Sequence, residues 1–241
     1  MKNIVLCFLA VILTGTLSFA NASDDGLQFG VRAGVNKNKY DLFMDWGEYG
    51  YIHFFDLDAG YGFEAGLAAK YPLKNWLSLN SEVSFCYRVL GIDTYKGISH
   101  YFESEEDSVG VYAYDNTKNS ISEMAILVPV MVQFTPSKRF PVYASAGTQF
   151  GFPFYNIIKY SSKYTHEGKI LYEGTKNEKT DNRSFIDFGA AVGVGYMAAN
   201  PNLGAELRFV FNLNNVYNGP DTDPDARIRL MYFTFGISYF L

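Results

Sequence analysis

From residue 27 onwards, apolar and polar positions alternate with a period of two in segment after segment, with almost no 3.6-residue rhythm. Such alternation marks half-buried strands. Leu27–Val35 alternates throughout. Leu57–Tyr71 sets Tyr61, Phe63, Ala65 and Leu67 against Asp58, Glu64 and Lys70, and Leu77–Tyr87 sets Leu79, Val83 and Phe85 against Asn80, Glu82 and Cys86. Further strands are predicted over Ile121–Phe134, Phe140–Phe154, Phe185–Tyr196 and Leu203–Leu213, and a last one ends at Leu241, giving eight.

The two faces differ in more than hydropathy. Gly30, Gly34, Gly60, Gly62, Gly66, Gly147, Gly151, Gly189, Gly193, Gly195, Gly204 and Gly236 all fall on the non-apolar face. One-sided small residues suit the inside of a narrow closed barrel, where inward side chains crowd the axis. Arg32, Asp58, Glu64, Lys70, Glu82, Arg88, Glu123, Asp187, Glu206 and Arg208 share the glycine face. The opposite face carries aliphatic and aromatic residues, the lipid-out, polar-in pattern of a transmembrane barrel. Arg229 breaks this order: extending the parity of Phe233, Phe235 and Ile237 backwards turns it outward, so it lies beyond the bilayer or follows a bulge.

Connections alternate between short and long. Tyr71–Trp76, Thr135–Arg139 and Ala199–Asn202 are short, while Asn36–Asp56, Val89–Ser120, Tyr155–Asn182 and Asn214–Arg227 are long. Bacterial barrels have short periplasmic turns and longer extracellular loops. The expectation is therefore an all-β, eight-stranded, antiparallel up-and-down transmembrane barrel with four long extracellular loops. A secreted lipocalin-like barrel is the competitor; it has the same topology with the stripes reversed, and it leaves the inward glycines unexplained.

The amino terminus reads as a signal peptide over residues 1–22, ahead of a single barrel domain over 23–241. Lys2 gives the positive n-region, Ile4–Leu13 the apolar run, and Ala20-Asn21-Ala22 the cleavage site. Mass spectrometry of the exported chain is expected to find Ser23 at its amino terminus. Ile4–Leu13 is too short for a membrane-spanning helix, which needs about 20 residues. Cys7 leaves with the peptide, so Cys86 alone remains and no intrachain disulfide can form. At 48% apolar residues long disorder is excluded, and a net charge of −5 argues against nucleic acid as a partner.

Pro129-Val130-Met131-Val132-Gln133-Phe134, a short turn, and Pro141-Val142-Tyr143-Ala144-Ser145-Ala146-Gly147 resemble the centre of the PorT-like outer-membrane β-barrel domain family. Asp187-Phe188-Gly189 with Gly193-Val194-Gly195, then Leu203–Phe209 and Phe235–Phe240, continue the resemblance across the mature chain. Leu127 stands where that family often has glutamate, and Leu241, rather than an aromatic, ends the chain. Pro129 within a strand is unusual; the resemblance implies that it is tolerated there, at a bulge. The family implies location in the outer membrane of a Gram-negative bacterium and no single activity.

Chemistry is sparse. His53, His100 and His166 lie in the predicted loops, and Ser99, His100 and Glu103 form a local cluster with no activated-nucleophile motif. No enzymatic activity and no cofactor are expected. Asp221, Asp223 and Asp225 have the alternation of a calcium loop but lack its glycine and closing glutamate, so they read as an acidic surface loop. Glu103, Glu105, Glu106 and Asp107 read as the tip of a hairpin with arms Ile98–Phe102 and Val109–Tyr114, too short to span. Tyr40, Phe43, Trp46, Tyr49, Tyr51, Phe54 and Phe55 make the first loop aromatic, suited to partner binding or to the headgroup zone. The expected role is a monomeric barrel with a plugged lumen, in contact with outer-membrane lipid and its assembly machinery. Its loops would form a platform for envelope or extracellular proteins. The alternatives are a PorT-like accessory role in secretion or envelope assembly, and a narrow small-solute channel.

Overall fold

The computed structural model describes residues 26–45, 51–54, 59–103, 110–136, 141–166, 169–180, 183–198, 202–216 and 226–241. Its strands are β1 (Gln28–Asp45), β2 (Tyr51–Phe54), β3 (Gly60–Lys74), β4 (Leu77–Glu103) and β5 (Gly110–Phe134), then β6 (Val142–His166), β7 (Lys169–Lys179), β8 (Asp187–Met197), β9 (Leu203–Asn212) and β10 (Ala226–Phe240). Eight of them close a ring in the order β1-β3-β4-β5-β6-β8-β9-β10, each pair of neighbours antiparallel. The last strand returns to the first, from Gly30 opposite Phe240 to Met44 opposite Ala226. Closure leaves no free edge along the barrel wall.

Alternation within the strands sorts the side chains as the sequence parity predicts. Val31, Val35, Phe63, Leu67, Val132, Val192, Val194, Phe235 and Ile237 are exposed, whereas Arg32, Glu64, Glu82, Arg88, Glu123, Asp187, Glu206 and Arg208 are buried. Valines outside and charges inside reverse the order of a lipocalin and fit a wall facing lipid. At the short-turn end Trp76 packs edge-on against Phe134, with ring centroids 5.6 Å apart. Tyr71, Tyr196 and Tyr239 are exposed on the same rim, the arrangement of an interfacial girdle.

The other end departs from expectation. Val89–Ser120 reads as a loop with short separate arms, yet β4 runs unbroken for 27 residues and β5 for 25, paired up to Glu103 opposite Gly110. The expected arm Ile98–Phe102 is the top of a spanning strand, and Val111–Tyr114 is the top of its neighbour. In the same way β6 continues to His166 and takes β7 as a partner inside Tyr155–Asn182. The first long segment holds the end of β1 and the short β2, and β10 begins inside the last one. The physical reason is common to all four. Above the membrane both faces of a sheet meet water, so hydropathic contrast fades while backbone pairing persists. The tops of β4, β5 and β6, with β7, make a four-stranded sheet standing beyond the wall by a dozen residues, about 40 Å of strand.

One local expectation is corrected, and the two alternatives for Arg229 are narrowed to one. Pro129 does not sit at a bulge: the β4–β5 register passes from Ser81 opposite Val130 to Ser84 opposite Leu127 without a shift. The β5–β6 irregularity lies at Met124/Ala125 instead. Nor does a bulge precede Arg229, because β10 stays in register with β1 throughout. Arg229 faces outward, its guanidinium 5.5 Å from the Phe211 ring centroid.

Candidate functional site

The lumen holds the charges in two tiers. In the tier nearer the short turns, Arg208 of β9 binds Glu82 of β4 through both nitrogens, Nη1 to Oε2 at 3.1 Å and Nη2 to Oε1 at 2.7 Å. In the closed ring β4 and β9 are four strands apart in either direction, so this pair crosses the barrel's full width. Arg208 Nη2 also donates to Glu206 Oε2 at 2.7 Å, as does Arg32 Nη1 at 2.7 Å. Arg32 Nε lies 3.5 Å from both Glu64 and Glu82. Ser145 Oγ donates to Glu206 at 2.8 Å, and Thr234 Oγ1 to Glu64 at 3.5 Å. Three carboxylates thus surround two guanidiniums.

The second tier lies towards the long hairpins. Arg88 donates to Glu123 through Nε at 2.6 Å and again through Nη2, which also reaches Asp187 Oδ2 at 3.0 Å. Arg183 enters from the segment before β8. Its Nε donates to Glu123 at 2.5 Å, and its terminal nitrogens grip both oxygens of Asp187 at 2.6 Å. Two cations meet two anions, and the Arg88 guanidinium stacks 5.7 Å from the centroid of Tyr232.

Apolar layers separate and cover these tiers. Cys86, Ala125, Leu127, Ala191, Val210 and Tyr232 are buried in one cluster with Leu90, Ile121, Val216 and Leu230. Val216 follows β9 and is pinned by backbone bonds to Ser184 and Ile228, its carbonyl accepting from Arg183 Nη1 at 3.0 Å. Leu127 therefore packs inside the lumen, where a glutamate would add another buried charge. Near the short turns, a cavity of ≈ 20 Å³ is lined by Arg32, Glu82, Gln133, Tyr143, Glu206 and Arg208. That is room for about one water molecule.

Nine of the ten predicted lumen residues can be located. Arg32, Glu64, Glu82, Glu206 and Arg208 come together in one tier, and Arg88, Glu123 and Asp187 in the other. Lys70 stands apart, half-buried, with its ammonium 5.9 Å over the Phe240 ring. Asp58 lies outside the described residues, as do Asp221, Asp223 and Asp225, the signal segment 1–22 and the acidic tip Glu105–Asp107. The aromatic loop's side chains and those of Ser99, His100 and Glu103 lie outside the description too. Sequence reasoning missed Arg183, which sits in no alternating segment, and also missed Tyr232 and Gln149, whose amide donates to the Tyr232 hydroxyl. The parity of Thr234 and Gly236 would have turned Tyr232 inward.

The family model for an outer membrane protein beta-barrel domain matches residues 19–218. Among solved structures the chain is similar to Neisserial surface protein A, at 15% identity over 89% of this chain and 98% of that one, with a TM-score of 0.39. It is similar to the attachment invasion locus protein Ail of Yersinia pestis, at 10% identity over 90% and 99% of the two chains, TM-score 0.38. For the outer membrane protein OprG from Pseudomonas aeruginosa the values are 10%, 90%, 96% and 0.38. A comparison with curated proteins returns no match. With most of the sequence matched by that family model and an eight-stranded ring that turns its apolar face outward, the chain belongs to the outer membrane protein β-barrel domain family and resides in the outer membrane of a Gram-negative bacterium.

Proposed function

We propose that this barrel is a closed post in the membrane whose work is done by the sheet and hairpins it raises above the surface, as an interaction platform for envelope or extracellular proteins. The observation that carries this reading is the Arg208–Glu82 pair, which ties opposite walls across the lumen. An eight-stranded barrel encloses little more than its own side chains. Here a second ionic tier and an apolar cap lie above that tie, which leaves the channel reading without a path. The monomer is the natural unit, since the ring closes on itself and its outer face meets lipid.

Two measurements test the reading. Full-length protein in planar bilayers should give no steady conductance, and a reproducible ion-conducting step would overturn the closed lumen in favour of the small-solute channel. A photocrosslinker at Thr175 on β7 should give discrete protein adducts on intact cells, lost when residues 94–117 are replaced by a tight turn. A folded, surface-exposed protein without adducts would remove the platform.

A second reading is supported by the resemblance of Pro129–Phe134 and Pro141–Gly147 to the PorT-like family. In it the partners are components of secretion or envelope assembly, and the adducts would then be envelope proteins. In either case we infer that the outer-membrane assembly machinery inserts the chain, with β10 as the strand that closes the ring.

A further inference from the structure

We propose that the outer face of the hairpin-end rim is a docking surface for the phosphate groups of the outer leaflet's glycolipid. The register supplies the first argument. On β5, odd-numbered residues from Ile121 to Gln133 are buried, so Lys118 points outward, and it pairs with Ser161. On β6 the inward Asn156 opposite Glu123 sets Lys159 and Lys163 on that same outward face, and β7 adds Lys179 opposite Ile157. Lys118, Lys159 and Lys179 are exposed. Among the described side chains of this sheet face Glu173 is the acid, and Lys163 Nζ lies 3.8 Å from it.

Height is the second argument. Phe154 and Tyr155 are exposed at the upper edge of the apolar wall. Lys159 follows Tyr155 by four residues, about 13 Å along a strand and, at a tilt near 40°, about 10 Å above the aromatic band. That is headgroup depth, and lysine stems lie along apolar surface while the ammonium seeks polar groups. Around the ring, at the β1–β10 seam, Lys37 and Arg229 also stand on the outward face, with Asp41 at the register position opposite Arg229. Lys37 Nζ stands 5.9 Å over the exposed Tyr61 ring, and Arg229 lies 5.5 Å over Phe211.

Charge placement is the third. The chain carries 25 acids against 20 Lys and Arg. In the lumen five carboxylates (Glu64, Glu82, Glu123, Asp187 and Glu206) face four arginines (Arg32, Arg88, Arg183 and Arg208), so the sealed network is close to charge-balanced and the surface charge is set by local placement. Among the described residues the outward face of β5, β6 and β7 carries Lys118, Lys159, Lys163 and Lys179 against Glu173, a locally basic face on a protein that is acidic overall. A water-facing rim has no need of that placement, whereas a leaflet of phosphorylated glycolipid supplies its complement at this depth. The surface concerns lipid, so it stands or falls separately from the platform reading above.

The test titrates bisphosphorylated lipid A into micelles of the refolded full-length protein. Lys118→Gln with Lys159→Gln should weaken binding about twenty-five-fold, since each basic group near an anionic surface contributes about a factor of five. Lys37→Gln with Arg229→Gln should do the same from the far side. Both variants should melt like the parent in lipid-A-free micelles, because the substituted side chains face outward. Lipid A stripped of its phosphates should bind at least tenfold more weakly than the intact form. Equal binding of the dephosphorylated lipid, or parental affinity in both double variants, would overturn the proposal. So would displacement of lipid A by equimolar heparin, which would make the rim a receptor for sulfated glycans.

Discussion

Arg208→Met is expected to destabilise the barrel by about 3–5 kcal/mol, the cost of leaving a buried charge without its partner. Arg208 makes three of the short contacts in its tier, two to Glu82 and one to Glu206. Its removal leaves Glu64, Glu82 and Glu206 facing Arg32 alone, and all four side chains are less than a tenth exposed. The measurement is the temperature at which the refolded protein loses its compact, fast-migrating form on an unheated gel. Arg88→Met should cost less, because Arg183 continues to bond both Glu123 and Asp187. Adding Glu82→Leu to Arg208→Met should recover part of the loss, since it removes the carboxylate that was stranded. An unchanged melting temperature in Arg208→Met would mean that the tier is solvated, and the tie across the lumen would lose its role.

That contrast between tiers shows where the sequence was legible. Eight lumen charges followed from strand parity alone, because alternation fixes the face of every residue once one face is apolar. Parity says nothing outside a strand, so Arg183 stayed hidden although its side chain is 4% exposed. Parity also fails where both faces meet water: Val89–Ser120 has no apolar stripe to read, yet its backbone pairs up to Glu103. Tyr232 was legible but not singled out: the parity of Phe233, Phe235 and Ile237 turns it inward, where it meets Gln149 and Arg88. Pro129 shows a milder limit. A proline predicts a local fault in the ladder, and the β4–β5 pairing does lapse at Pro129 and Val128, yet it resumes in the same register without a bulge.

Glycine on the inward face makes the other large prediction. Gly147 of β6 lies opposite Met131 of β5. A Cβ there would meet the Val130 carbonyl, with the Met131 Cα at 2.8 Å and the Val130 carbonyl carbon at 3.0 Å. These are all backbone atoms of a strand held on both sides, so no rotamer change can make room. Overpacking a well-filled interior typically costs about 1–3 kcal/mol and occasionally more. A rigid wall puts Gly147→Val at the upper end of that range, enough to reduce sharply the yield of folded barrel. Ala146→Val, one residue away, is the control. Ala146 is exposed on the lipid face, so the added methyl groups enter hydrocarbon and the folded yield should match the parent. Refolding both variants into the same detergent and comparing the compact band separates a steric effect of the lumen from any general dislike of valine in β6. Equal yields from the two would show that the lumen has slack at Gly147 and that its one-sided glycines answer to something other than crowding.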